Sequence, residues 1–308
     1  MVHLSQGLPR PQFQENIYIP LNNTGIDLRG GITTMAKAKR PGVRFPSILD
    51  RAYSEYKRHR KVSDIMTTGV VVTTPGRSMA DAARIMGERH IGSLMVVKYG
   101  CPIGIVTERD FISRVLAKGL DPGNTAVEQV MSFPLIRICP DLEIREAART
   151  MIKRKGRLAV FSCGRLEGIV TASDLIRDMP DAPETSLSVD EYMTRNLVCA
   201  EGDTPLSEVV DTIGRKRIGS VIISREGKPH AIFTERDLLS SLLAKGSGMD
   251  IEVGEISSSP LITAPSGISI HEAAQMMASK HIRRLPIVRK NDLAGIITAR
   301  DLVEAYAQ

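Results

Sequence analysis

The chain has no tryptophan, and aromatic residues make up only 4% of its 308 positions, so any core must be built from aliphatic side chains and its 13 methionines. Cysteine is scarce too: Cys101, Cys139, Cys163 and Cys199 stand 38, 24 and 36 residues apart. None falls in a Cys-x-x-Cys or Cys/His cluster, which argues against a zinc site and against a disulfide scaffold. Free, buried thiols are the expectation. No apolar run approaches the ~18 residues of a membrane-spanning helix, and the opening Met1-Val-His-Leu-Ser-Gln6 lacks a basic-then-apolar targeting pattern. A soluble, cytoplasmic chain with no membrane association is therefore expected. Also missing are Gly-x-Ser-x-Gly, Gly-x-x-x-x-Gly-Lys, His-Glu-x-x-His and any Cys/His nucleophile pair. No catalytic residue, metal site or required cofactor is read from the sequence, and the expectation is that the chain is not an enzyme.

Charge is unevenly spread. Residues 1–61 carry 11 Lys+Arg against 4 Asp+Glu, a net of +7. The remaining 30 against 31 give −1, so the formal +6 of the whole chain describes a neutral body behind a basic leader. Residues 1–46 show no periodicity, while 47–60 predict a short helix with Ser47 as N-cap and Leu49, Ala52, Tyr53 and Tyr56 on one stripe. A basic arm at 37–61 touching nucleic acid is the sharper alternative to a solvated face, and the less favoured one.

What the chain does have is repetition. Four short apolar runs end in Thr-x-x-Asp: Gly104-Ile-Val-Thr107-Glu-Arg-Asp110, Gly168-Ile-Val-Thr171-Ala-Ser-Asp174, Ala231-Ile-Phe-Thr234-Glu-Arg-Asp237 and Gly295-Ile-Ile-Thr298-Ala-Arg-Asp301. The aspartates are 64, 63 and 64 residues apart. A longer period of 127 residues relates Leu116-Ala-Lys-Gly119 to Leu243-Ala-Lys-Gly246, and Ile91-Gly-Ser93 to Ile218-Gly-Ser220. Two pairs of units follow: 62–178 (units at about 62–120 and 125–178) and 188–308 (units at about 188–247 and 251–308).

Each unit carries a helical stripe: Met79, Ala82, Ala83, Met86; Ile144, Ala147, Ala148, Met151; Leu206, Val209, Val210, Ile213; Ile270, Ala273, Ala274, Met277. Apolar residues at i, i+3, i+4 and i+7 mark an inward helix face. A strand run, a turn, a second strand run and a closing helix follow, so the predicted order is β-α-β-β-α. The fold class is α+β, with four such units packed as two pseudo-two-fold pairs. A unit of ~60 residues buries too little surface to stand alone, and sheet-on-sheet packing with one core per pair is expected.

Four units of this order, each closing on Gly/Ala-apolar-apolar-Thr-x-x-Asp, resemble cystathionine-beta-synthase (CBS) domains arranged as two tandem pairs, often called Bateman modules. The resemblance covers residues 62–308. It implies a stand-alone regulatory sensor that binds an adenosine-containing ligand (AMP, ADP, ATP or S-adenosylmethionine) in clefts between paired units and passes the signal to a separate protein partner. It also implies homodimers. The family places the ribose against the Thr and Asp of the motif, which nominates Thr107 and Asp110, Thr171 and Asp174, Thr234 and Asp237, and Thr298 and Asp301. Arg109, Arg236 and Arg300, one position earlier than the Asp, become candidates for phosphate.

Thr-x-x-Asp at a strand-to-helix junction is equally a capping box, serving the helix with no ligand at all. A ligand-free interaction scaffold therefore stands beside the sensor. Unit two has Ser173 in place of Arg, and unit three has Ala231 in the glycine position, where its methyl is expected to crowd a base. Ile256 is taken as the counterpart of Met66, Met131 and Met193. His90 is expected at a strand edge; His281, Arg283 and Arg284 lie beside the unit-four strand and could reach a phosphate, with a solvated run as the default reading.

Overall fold

The computed structural model describes residues 60–178, 187–245, 249–290 and 292–308, all within the compact unit Pro46–Gln308. The expected helix at 47–60 and the basic arm at 37–61 lie outside the described residues, save for Arg60 and Lys61.

The four repeats fold alike. Unit one runs α1 (Val62–Ile65), β1 (Val72–Thr73), α2 (Met79–Glu88), β2 (Ser93–Lys98), β3 (Cys101–Thr107) and α3 (Glu108–Arg114). Unit two runs α4 (Val127–Val130), β4 (Ile136–Ile138), α5 (Ile144–Arg154), β5 (Leu158–Ser162), β6 (Arg165–Val170) and α6 (Ala172–Arg177). Unit three runs α7 (Val189–Tyr192), β7 (Cys199–Glu201), α8 (Leu206–Lys216), β8 (Ser220–Arg225), β9 (Lys228–Thr234) and α9 (Glu235–Lys245). Unit four opens with a 3-10 turn (Val253–Glu255), then β10 (Ala264–Pro265), α10 (Ile270–Ser279), β11 (Arg284–Arg289), β12 (Asp292–Thr298) and α11 (Ala299–Ala307).

Each sheet has three strands, the first parallel to the second and the second antiparallel to the third. The hairpin register slips at the same place each time: Val96/Val97, Val160/Phe161, Ile223/Ser224 and Ile287/Val288. All 16 stripe residues are buried, and Met79, Ala82, Ala147, Ala148, Leu206 and Ala273 are wholly so. At roughly 1.5–3 kcal/mol for each fully buried large apolar side chain, this stripe rather than helix propensity fixes the helices. Behind each helix the chain turns into the next strand through a left-handed residue: His90, Lys155, Arg217 and His281 have φ of 52°, 56°, 53° and 54°. His90 and His281 are therefore turn residues.

Pairing rests on exchanged leading segments. Val62 and Ile65 of unit one sit in the core of unit two, and Val127 and Val130 of unit two sit in the core of unit one. Thr67 exchanges both backbone hydrogen bonds with Ile169 (2.9 and 3.0 Å), and Ser132 does so with Ile105 (2.8 and 3.0 Å). The second pair repeats this through Thr194 with Ile296 and Ser258 with Ile232.

The expected single core per pair is not what forms. One large core joins units one and three, a second joins units two and four, and the facing sheets of the first pair share only a small cluster around Met95, Ala159 and Phe161. The helices carry the larger apolar faces, and they meet across pairs. The thiols also depart from expectation: all four cysteines are free but exposed, because they stand at hairpin tips and strand ends.

The exchange explains the motif glycines. A Cβ on Gly104 would lie 2.8 Å from Met131 Sδ, on Gly168 2.9 Å from Met66 Sδ, and on Gly295 2.7 Å from Met193 Sδ. By the same backbone register, with Ile232 bonded to Ser258, the residue facing Ala231 is Ser257 and not Ile256. The methionine position of unit four is thus Ser257, one residue later than the sequence comparison placed it, and Ile256 fills a core slot instead. The Ala231 methyl is accommodated by a small partner and is buried against the chain rather than held toward a ligand.

Gly104→Ala is accordingly expected to destabilise the protein by about 1–3 kcal/mol in urea denaturation. Adding Met131→Ser, which copies the Ala231–Ser257 combination, should recover part of the loss. Strict additivity of the two changes would contradict the pairing.

Candidate functional site: a charged junction of four units

In every unit the strand-to-helix corner is closed by a capping box. Thr107 N–H and Oγ1 donate to Asp110 Oδ2 at 2.9 and 2.7 Å. The corresponding distances are 2.9 and 2.7 Å for Thr171 and Asp174, 2.8 and 2.6 Å for Thr234 and Asp237, and 2.8 and 2.8 Å for Thr298 and Asp301. Only Oδ2 is consumed. The other oxygen, Oδ1, differs from unit to unit. Arg114 stands 3.3 Å from that of Asp110, Arg177 binds that of Asp174, and Ser258 Oγ donates to that of Asp237 at 2.8 Å. Asp301 Oδ1 takes no hydrogen bond among the described residues. Burial pushes the Asp110 and Asp301 carboxyls above the ordinary 3.8, against the lowering effect of their threonine bonds.

The second residue of the motif matters more than its position suggests. Units one and three have Glu there, and both glutamates are buried, at 5% and 7% exposure. Arg109 Nε donates to Glu235 Oε1 at 2.9 Å, and Arg284 to Glu235 Oε2 at 3.1 Å. Reciprocally, Arg236 Nε lies 3.6 Å from Glu108 Oε1, and Arg283 lies 3.5 Å from Glu108 Oε2. Arg157 approaches from unit two and donates to the Gly92 carbonyl at 2.9 Å. All four units thus meet at one place, where Glu108 and Glu235 face five guanidiniums; the Asp110 carboxylate also acts on Arg157 and is itself paired with Arg114.

The two halves are unequal. Glu235 is hydrogen-bonded on both oxygens. Glu108 is only within ion-pair reach, and Arg236 Nε is buried with no hydrogen-bond partner. Burial raises the Glu108 carboxyl above its ordinary 4.5, opposed chiefly by Arg236 and Arg157, and burial lowers the Arg157 guanidinium. At two corners a side chain would have to push a charged side-chain end aside. A Cβ on Gly92 would meet Glu108 Oε2 at 2.9 Å, and one on Gly219 would meet an Arg284 nitrogen at 2.1 Å.

Of the residues nominated from sequence, Arg109 and Arg236 join this junction, while Arg300 is exposed and makes no ion pair among the described residues. Arg283 and Arg284 belong to the junction and not to a solvated run. Glu108, Glu235 and Arg157 were not singled out from sequence. Their signal lies in the alternation of units: Thr-Glu-Arg-Asp with Ser93 and Ser220 in one and three, Thr-Ala-x-Asp with Arg157 and Arg284 in two and four. The described residues contain no cluster of three or more His, Cys, Asp or Glu able to hold a metal, and no helix long and apolar enough to cross a membrane.

Four small α+β units, interlocked in pairs and meeting at a charged centre, define a class of tandem-repeat protein. The sequence profile of the CBS domain matches residues 62–117, 127–181, 189–244 and 253–308, and the chain belongs to that family. It is similar to the CBS domain-containing protein YhcV of Bacillus subtilis, with 35% identity over 37% of this chain and 81% of that one. It is also similar to the uncharacterised protein MJ1225 of Methanocaldococcus jannaschii, with 24% identity over 77% of this chain and 95% of that one. The crystal structure of MJ1225, described as a candidate archaeal homologue of g-AMPK, superposes with a TM-score of 0.71 over 80% of this chain and all of that one. A Pyrococcus horikoshii structure shares the fold at a TM-score of 0.56 and 23% identity.

The Glu108 shift makes a pH prediction. A carboxyl whose folded pKa is raised holds its proton to higher pH in the folded state than in the unfolded chain. Its contribution is fully present below 4.5 and is lost as pH rises through the folded value. In urea titrations the stability of Glu108→Gln should fall less steeply than wild type as pH is raised from about 4.5. Parallel profiles would contradict the assignment.

Proposed function

We propose that the protein is a regulatory sensor of an adenosine-containing ligand (AMP, ADP, ATP or S-adenosylmethionine). It works in the cytoplasm as a homodimer and signals through a separate protein partner. The observation that carries this reading is the division of labour within each motif carboxylate. Capping accounts for Oδ2 four times over, and at Asp301 it leaves Oδ1 unbonded in a half-buried setting. A ribose cis-diol needs such an acceptor, and a carboxylate can take two hydroxyl donors. Phosphate would find guanidinium donors at the junction, where all four units contribute charge. The CBS domain match and the likeness to a protein described as a candidate g-AMPK homologue support the same reading.

The clefts are ranked by what already occupies the aspartates. Unit four leads. Unit one follows, with Arg114 at a long 3.3 Å. Units two and three are the poorest, because Arg177 binds Asp174 Oδ1 and Ser258 Oγ fills Asp237 Oδ1 at 2.8 Å. A ligand-free scaffold is the second reading, favoured by the capping boxes themselves, which give every motif Thr and Asp a structural role.

Calorimetry and thermal shift with the four ligands separate the two. Ligand at 100 times its dissociation constant should add about 2.7 kcal/mol of stability. Asp301→Asn retains an acceptor for the helix cap but loses the carboxylate charge, and it should weaken the best ligand at least tenfold, with Asp237→Asn nearly silent. No response to any ligand at millimolar concentration would leave the scaffold.

A further inference from the structure

The two glutamates are held differently, and the difference bears on what the junction can accept. Glu235 is saturated by Arg109 and Arg284 at 2.9 and 3.1 Å, so that half is a closed ion-pair latch between the pairs. Around Glu108, three guanidiniums converge from three other units: Arg157 from two, Arg236 from three and Arg283 from four. None of them hydrogen-bonds the carboxylate. Arg236 Nε is a buried donor with no acceptor, a costly condition that an anion would relieve. With Asp110, which also faces Arg157, set against its own Arg114, three guanidiniums against Glu108 leave a local excess of two, the charge of a phosphate monoester dianion. Gly92, whose Cβ would strike Glu108 Oε2 and crowd Arg157 and Arg283, keeps this half open enough for the guanidiniums to gather.

We propose that Glu108 is the residue that sets how much phosphate charge the junction takes: it occupies the place of a second phosphate, so the site accepts a single phosphate group and disfavours a pyrophosphate. A pyrophosphate brings at least one further negative charge beside a Glu108 that is already present and whose side chain is 6% exposed, and like charges at short range repel more strongly where one of them is shielded from water. The preference rests on the nucleotide reading for its biological meaning, where it singles out a nucleoside monophosphate over the di- and triphosphate. The charge argument itself needs no nucleoside.

The test therefore uses inorganic anions on the full chain at constant pH and ionic strength, with calorimetry as readout. Wild type should bind phosphate at least as tightly as pyrophosphate. In Glu108→Gln, the ratio of pyrophosphate to phosphate affinity should rise at least tenfold. Glu88→Gln, which removes the same charge from an exposed helix position, should leave the ratio at the wild-type value. If Glu108→Gln does not fold, Arg283→Gln gives the converse: with the excess reduced to one, phosphate affinity should fall at least fivefold. Wild-type preference for pyrophosphate, an unchanged ratio in Glu108→Gln, an equal rise in Glu88→Gln, or undiminished phosphate binding in Arg283→Gln would each overturn the proposal. Adenosine-ligand binding without phosphate binding would sink this inference alone, and phosphate selectivity without adenosine binding would sink only the sensor reading.

Discussion

Two carboxylates buried where four repeats meet must find their counter-charges in other repeats. Neither Glu108 nor Glu235 has a close arginine partner within its own unit, and an isolated buried carboxylate would be prohibitively costly. Arg236 and Arg283 toward Glu108 and Arg109 toward Glu235 come from the opposite pair, while Arg284 reaches Glu235 from the other unit of its own pair. This requirement ties the two pairs together at a defined register. It also dictates small residues at Gly92 and Gly219, where any side chain would displace a guanidinium.

A steric constraint of the same kind works within each pair. The leading segment of one unit lies on the last strand of the other, and three times a methionine is accommodated only because the facing residue is glycine. The fourth corner solves the problem with alanine and serine. The apolar cores then run across the pairs, one through units one and three and one through two and four. Interlocked segments hold each pair, and helix faces with charged corners hold the two pairs to one another.

Much of this was legible before any coordinates. Stripes such as Ile144, Ala147, Ala148 and Met151 announce a buried helix face, since only a period near 3.6 places them together. The repeat spacing gives the number of units and their pairing. A stripe does not say what it packs against, however, and Met86 could not reveal that its core includes Val210 and Ile213. Nor does sequence show that a glycine before Ile169 answers to Met66 of another unit. Without that contact, Ile256 passed for a methionine counterpart one position from the true one. The charged centre was half visible. Arg109 and Arg236 stand out beside the motif aspartates, whereas Glu108 and Glu235 do not, because surface glutamates are common and their burial is set by distant chain.

The chemistry follows from what the fold leaves unsatisfied. Capping uses one oxygen of each motif aspartate, and the junction keeps more guanidinium than carboxylate. A ligand with a diol and a phosphate would complete both. Everything in this account depends on the cross-pair charges being coupled and not merely adjacent. A double-mutant cycle on Glu235→Gln and Arg109→Met, which face each other across the two pairs, followed by urea denaturation, measures that coupling directly. The contact is short and its carboxylate is buried (2.9 Å, with the Arg109 and Glu235 side chains 55% and 9% exposed), and a coupling of about 1–2 kcal/mol is predicted. A value below about 0.5 kcal/mol, the usual scatter of independent sites, would show that the two pairs are not held through this junction and would contradict the account at its centre.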